Sequence, residues 1–435
     1  MSAQVPVMLG AERLRELAQP PWAKAIEALD RGDVDRVHAL LAEMASAPSG
    51  VESMSLHVLA RLCGELRRDR GEPAARQLLD EVGDQLMASF ARDWQAGEEE
   101  RVITDLITVF KHQGGGNMVP VDETDDEVVY DLAPCGSGGR FVVDGSAVKS
   151  PEWYGEWSDG VPSACQACKA CQRAVNRAVG HEVWTTEISS TVPGRCTLRF
   201  GKQATRGQRL YPGTRLYTVT RTRMQDIQRR VQRHDMRLHE LLKDQHTDWM
   251  PWHDFVISLM AYLFGAIQRV GGTDYLSERL DSAYNSTFRL FYPVFQRLSD
   301  EAHLAYLCTA HHYHMMRFEL SEEADRFVFR LDPCGSGGRL LRGEMWRNLF
   351  QYGTAPDARR VPERHVVTFQ RDDLPVYCTH CAAHNRDQFL HDVLYFVNDG
   401  HAQRQAGSAC LQFTYKKGVH VDQVDPALKA QVGMA

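Results

Sequence analysis

Apolar residues recur at helical spacing through long parts of the chain. Val37, Leu40, Leu41 and Met44 stand at i, i+3, i+4 and i+7, and Leu78, Leu79, Val82 and Leu86 follow a similar rhythm. Both segments predict helices with one apolar face. The run FVISLMAYLFGAI, Phe255–Ile267, is apolar almost throughout. It falls short of the roughly 20 residues a bilayer requires and predicts a buried helix. Ser299 followed by Asp300 and Glu301 reads as an N-cap with an acidic first turn, opening a helix through Met316. Shorter runs rich in β-branched and aromatic residues predict strands at Val128–Leu132, Arg326–Leu331, His365–Phe369 and Cys410–Tyr415.

These elements come in the same order twice. Pro134–Arg140 reads PCGSGGR, and so does Pro333–Arg339. The flanks agree as well: VVYDLA precedes the first copy and FVFRLD the second. Downstream, Cys165-x2-Cys168-x2-Cys171 faces Cys378-x2-Cys381-x2-His384, and GRCTLRF faces GSACLQF. VLARLCGELRRDRG upstream parallels LMAYLFGAIQRVGG. The expected fold is therefore α+β with an internal duplication, in halves of about 1–223 and 224–435. Each half pairs a helical region, 1–120 and 224–320, with a small Cys-rich β zinc module, 121–223 and 321–435.

Composition bounds the function. The 435 residues are 43% hydrophobic and 25% charged, which suits a soluble chain of two to four domains. A net charge of −7 lacks the overall basic footprint of a nucleic-acid binder. The N-terminal segment has no basic stretch followed by an apolar run, so the expected location is cytoplasmic, with no membrane partner. Eleven cysteines in such a chain point to metal binding or thiol chemistry rather than disulfides.

Zinc takes four Cys or His ligands tetrahedrally, and a C-x2-C pair supplies two of them from one turn. Thiolate and imidazole replace each other on zinc, whereas imidazole cannot replace a disulfide partner. The simplest ligand sets are Cys135, Cys165, Cys168, Cys171 and Cys334, Cys378, Cys381, His384, for two zinc ions. Iron accepts the same donors. The competing reading is reduced structural cysteine, or thiols used for redox or metal handling. Cys63 and Cys308 fall on expected helices and read as small buried hydrophobes. Cys196 and Cys410, when the Leu-x-Phe pairs are aligned, stand one residue out of register, which places them on opposite strand faces.

PCGSG resembles the start of the SEC-C zinc knuckle over about five residues. A second resemblance covers more of each half. VVYDLAPC, ACQACKAC and GRCTLRF, with FVFRLDPC, YCTHCAAHN and GSACLQF, are similar to the L-2-amino-thiazoline-4-carboxylic acid hydrolase-like family. That resemblance implies hydrolysis of a small C–N or C–S substrate. The chain departs from the family in having two halves and CGSGGR after the strand.

For such a reaction the expected groups lie in the second half, where histidine is concentrated. His311 and His314 are i,i+3 neighbours on the helix from Ser299, suited to general acid–base work beside a metal. Cys410 is the candidate open-site ligand or nucleophile. His380, His391 and His401 lie near the second Cys cluster. The bland reading of these histidines is packing. Arg195–Arg237 carries eleven Arg and Lys202 against Asp226 and Asp235. It could engage an acidic partner or nucleic acid, but is expected mainly to pair with the acidic segment Asp122–Glu127. Trp153, Trp157 and Trp346 could line a pocket or simply pack.

Overall fold

Short strands with alternating burial assemble into two antiparallel sheets, each set against helices. The computed structural model describes residues 9–113, 117–350, 360–402 and 408–434. β1 (Met118–Glu123), β2 (Glu127–Leu132), β3 (Trp184–Ile188) and β4 (Cys196–Gly201) form one sheet in the order β1-β2-β4-β3. Further along come β5 (Phe318–Glu322), β6 (Arg326–Leu331), β7 (Arg360–Val361), β8 (Leu374–Pro375), β9 (Val397–Asp399) and β10 (Cys410–Tyr415). The second sheet has the order β5-β6-β10-β9, and β7 and β8 make a separate ribbon. The chain is thus mixed α and β. The expected strands at Val128–Leu132, Arg326–Leu331 and Cys410–Tyr415 are present. His365–Phe369 is not a strand. Val366–Thr368 is a single 3-10 turn, closed by reciprocal bonds between His365 and Thr368 and ended by Phe369 at φ 53°.

The long apolar periodicities are helices. Val37, Leu40, Leu41 and Met44 are all buried on the helix Val34–Arg70, and Leu78, Leu79, Val82 and Leu86 on Glu72–Gln95. The apolar run Phe255–Ile267 lies in Gln245–Arg279, a helix interrupted at Gly272. The apolar window in this region has the length and composition to cross a membrane, yet 72% of it is buried inside the fold. Ser299 caps the next helix by accepting from the Ala302 N–H. That helix stops at Tyr313 rather than Met316, because Met315 has a φ of 57°.

Two compact units result. One comprises Met1–Met54, Phe264–Met345 and Phe350–Ala435 and holds the second sheet. The other comprises Ser55–Leu263 and Trp346–Leu349 and holds the first. These units differ from the sequence halves because the N-terminal helix Ala11–Ala18 belongs with the second sheet. Its Leu14 and Leu17 are buried with Leu304, Leu307, Phe327 and Phe329. The Leu9 N–H donates to Glu322 at 3.0 Å.

In the unit with the first sheet, the helix Ser163–Val179 packs on Glu72–Gln95 through small residues. A Cβ on Gly83 would lie 2.7 Å from the Ala170 carbonyl oxygen. Ala164, Ala167, Ala170 and Ala174 are buried along the same helix. Arg173 and Arg177 flank the contact with ion pairs to Asp80 and Asp84, each 2.6 Å. Gly180, in the left-handed region at φ 88°, ends the helix.

Each sheet carries one buried ion pair at the same place. Lys202, just past β4, reaches Glu123 at 2.7 Å, and Lys416, just past β10, reaches Glu322 at 2.6 Å. Lys202 also donates to the carbonyls of Thr124 and Gln208, while Glu123 accepts the N–H groups of Leu210 and Tyr211. A buried pair with its remaining hydrogen bonds satisfied locks strand register, and removing one partner leaves an uncompensated charge. Lys202→Met is therefore expected to destabilise the unit containing the first sheet by about 3–5 kcal/mol. The double change Lys202→Met with Glu123→Leu recovers only part of that loss, because it takes these partners from the N–H groups of Leu210 and Tyr211 and the carbonyls of Thr124 and Gln208. Urea unfolding of the three chains checks both statements.

Candidate functional site

The strand registers bring the cysteines together. β2 pairs with β4 so that Leu132 faces Cys196, and β6 pairs with β10 so that Leu331 faces Cys410. Each leucine stands three residues before the first cysteine of its PCGSGGR copy. Cys196 and Cys410 therefore occupy equivalent positions. The register offset read from the Leu-x-Phe pairs is corrected: the cysteines and the buried lysines align, and the Leu-x-Phe pairs do not.

At that end of the first sheet, Cys135, Cys165, Cys168 and Cys196 line one cavity of about 20 Å³, with Ser137, Lys169, Thr186 and Ile188. At the corresponding end of the second, Cys334, Cys378, Cys381 and Cys410 line a cavity of about 30 Å³. Its wall also carries Ser336, Arg371, Tyr377, His380, Asn398 and Asp399. Such volumes hold about one or two water-sized species.

Glycine makes the approach possible. A Cβ on Gly138 would sit 2.0 Å from Cys165 Sγ, and one on Gly337 would sit 2.5 Å from Cys378 Sγ. Gly139 is pressed onto the backbone of Gly194, and the Cys135 N–H donates to the Gly194 carbonyl at 2.8 Å. The same loops solvate sulfur. The Gly338 N–H donates to Cys334 Sγ at 2.9 Å, and the Ser137 hydroxyl lies 3.3 Å from Cys135 Sγ. The Gly338 N–H works against the upward push that burial gives the Cys334 thiol.

The C-x2-C pairs lie at a helix start rather than in a β knuckle. Cys165 and Cys168 sit in the first turns of Ser163–Val179, and Cys378 and Cys381 straddle the start of Thr379–His391. A step of three residues falls short of the 3.6-residue turn and rotates a side chain back by roughly 60°. A third residue at the same spacing has turned by roughly 120° from the first. Cys171 accordingly lines a neighbouring cavity with Leu56, Leu59, Trp184 and Trp252. His384 bonds the Tyr395 hydroxyl through Nε2 at 2.9 Å, among Tyr284, Phe288 and Tyr292. Of the ligand sets expected from sequence, three members of each meet at a cavity. Cys196 and Cys410 take the fourth places there.

All eleven thiols are free. Burial, then repulsion from Cys135, pushes the Cys168 thiol up to about 12. Burial, then Cys334, does the same to Cys378. Burial also drives Cys165, Cys196, Cys381 and Cys410 well above the ordinary thiol value. Among the described residues, no three Cys, His, Asp or Glu side chains form a ready metal-holding group as they stand. Cys63 and Cys308 are buried in apolar surroundings, as expected.

The candidate histidines lie elsewhere. His311 is buried, with its ring 4.7 Å from Phe329, 5.7 Å from Phe318 and 6.0 Å from Phe396. Neither His311 nor His314 is in the wall of the second cavity; the His314 carbonyl abuts Gly335. His391 faces Asp387, and His401 bonds the Phe369 carbonyl. His380 is the histidine that does line the cavity. Its place directly before Cys381 was the available signal.

The tryptophans pack: Trp157 donates to Ser163, Trp153 lies under Arg61 and Arg68, and Trp346 meets Phe90. In the basic stretch, Lys202, Arg206 and Arg199 pair with Glu123, Asp126 and Glu127 of the acidic segment. Arg195 pairs with Asp131, Arg215 with Glu100, and Arg230 and Arg237 with Asp235.

Two expectations follow from this geometry. Gly138→Ala must displace Cys165 or the loop, so it lowers stability by about 1–3 kcal/mol and raises the alkylation rate of Cys165. Mass-spectrometric footprinting checks the second part. Burial among aromatic rings pushes the His311 pKa down from 6.5 to about 3, so the folded state favours the neutral ring. That contribution is complete above pH 6.5 and is lost as pH falls towards 3. His311→Leu should shrink the loss of stability on going from neutral pH to about pH 4 by on the order of 2–3 kcal/mol, read from denaturation at both pH values.

No protein-family model, curated protein or solved structure matches the chain.

Proposed function

We propose that the chain is a zinc protein in which each sheet module, derived from one duplicated unit, holds an ion through four cysteines. The first set is Cys135, Cys165, Cys168 and Cys196. The second is Cys334, Cys378, Cys381 and Cys410. One observation carries this reading. In each module, cysteines from three separated segments, a loop, a helix start and a strand, line a single cavity.

The chemistry of the donors supports it. Thiols kept protonated by burial and by one another are a set that a dication discharges, releasing protons as it binds. The loop N–H and hydroxyl groups aimed at sulfur supply the outer hydrogen bonds that thiolate ligands need. The side chains as they stand do not form a tetrahedral shell, so holding an ion requires them to turn. Four protein ligands make such an ion structural, and its binding energy is then folding energy.

If the chain also carries the hydrolytic activity implied by its family resemblance, we place that activity in the second module. The wall there holds His380, Asn398 and Asp399, and the first module has no counterpart to His380.

Elemental analysis of the purified chain is expected to find about two zinc per chain. Cys196→Ser lowers this by about one ion, whereas Cys171→Ser and His384→Gln leave it unchanged. Metal-free protein with thiols that react freely in the folded state would overturn the proposal.

A further inference from the structure

We infer that His380 is a metal ligand of the second site, which makes that site a five-donor centre of four thiols and one imidazole. The inference rests on the reading that both cavities take a metal.

The ring is already set for coordination. His380 Nδ1 lies in hydrogen-bond contact with the Tyr377 carbonyl oxygen. A carbonyl oxygen only accepts, so Nδ1 carries the proton and the neutral ring keeps its lone pair on Nε2. That nitrogen lies 3.4 Å from Cys381 Sγ, within the cavity wall. Three aromatic rings fix its orientation: Tyr377 at 4.6 Å, Tyr284 at 4.9 Å and Phe264 at 6.4 Å between centroids. One ring nitrogen anchored on a backbone carbonyl, with the other left to bond, is how proteins present a histidine to a metal.

The first site cannot do this. Ala167 stands where His380 stands in the second copy, directly before the second cysteine of the pair. The neighbouring Lys169 donates its ammonium to the Thr186 carbonyl. The first site is therefore all thiolate.

Five donors around a four-coordinate ion leave one out. Nε2 and Cys381 Sγ, 3.4 Å apart, are spaced as neighbouring corners of one shell, so one of the four thiols gives way. With the imidazole bound, the ion carries one thiolate fewer and is a stronger Lewis acid, and an uncoordinated thiol remains inside the cavity. The second site is thus the one able to exchange a ligand, and the first is the inert one.

The test uses the full chain, labelled with nitrogen-15 and loaded with cadmium-113 alone. Two cadmium resonances are expected, one of them split by a single imidazole nitrogen. His380→Ala abolishes the splitting. In parallel, cobalt(II) titration followed by its absorption bands shows affinity at the second site reduced at least about tenfold by the same change. Cadmium at both sites with no nitrogen splitting overturns this inference and leaves the four-thiol reading standing. Cadmium at the first site alone also overturns it. Cadmium at neither site overturns the underlying reading and this inference with it. The unsubstituted chain reports the splitting directly, so the outcome does not depend on the variant folding.

Discussion

A missing side chain governs both cysteine sites. The fifth residue of each PCGSGGR stretch, Gly138 or Gly337, lies so close to the first sulfur of the C-x2-C pair that no Cβ fits between them. Only through that contact can a loop leaving the end of a strand reach the start of a helix that follows much later in the chain. Once it does, the loop's backbone N–H groups and serine hydroxyl face sulfur instead of solvent. Close packing and thiolate solvation are thus satisfied by one small piece of backbone, and glycine is the residue that permits both.

The second constraint is register. A strand shifted by one residue would turn Cys196 or Cys410 away from its cavity. The buried pairs Lys202–Glu123 and Lys416–Glu322 oppose that shift, because either lysine out of place would be a bare charge in the interior. They lie at the far ends of the same strands from the cysteines. Packing at one end of each sheet therefore determines which thiol is presented at the other.

The two sites share a frame but not a wall. Around the first, the non-cysteine groups are Gln113, Ser137, Lys169, Thr186 and apolar side chains. Around the second the polar ones are Ser336, Arg371, Tyr377, His380, Asn398 and Asp399, of which only the serine has a counterpart in the first. The differences fall on the residues between and beside the cysteines, while the cysteines and the glycines beside them are the same in both. The histidine-rich helix of the second unit took a different course. Its His303 and His311 are packed against aromatic rings and kept neutral by burial, with pKa values of about 4 and about 3. They belong to the core.

Much of the frame was legible in the sequence because it is local. Apolar periodicity located the long helices, β-branched and aromatic runs located three of four expected strands, and the repeated PCGSGGR marked the two sites. Cys165, Cys168, Cys378 and Cys381 could be picked out from spacing, since one turn of chain brings a C-x2-C pair together, and Cys135 and Cys334 from the repeated PCGSGGR. The fourth member could not. Equal spacing suggested Cys171 and His384, but helical rotation carries both away, and a strand distant in sequence delivers Cys196 and Cys410 instead. Likewise, no local signal shows that the first helix joins the second sheet, or that His311 turns away from the cavity. Those choices belong to tertiary structure, because they depend on strand register and on which helix face meets which sheet, and both are settled only when distant segments pack.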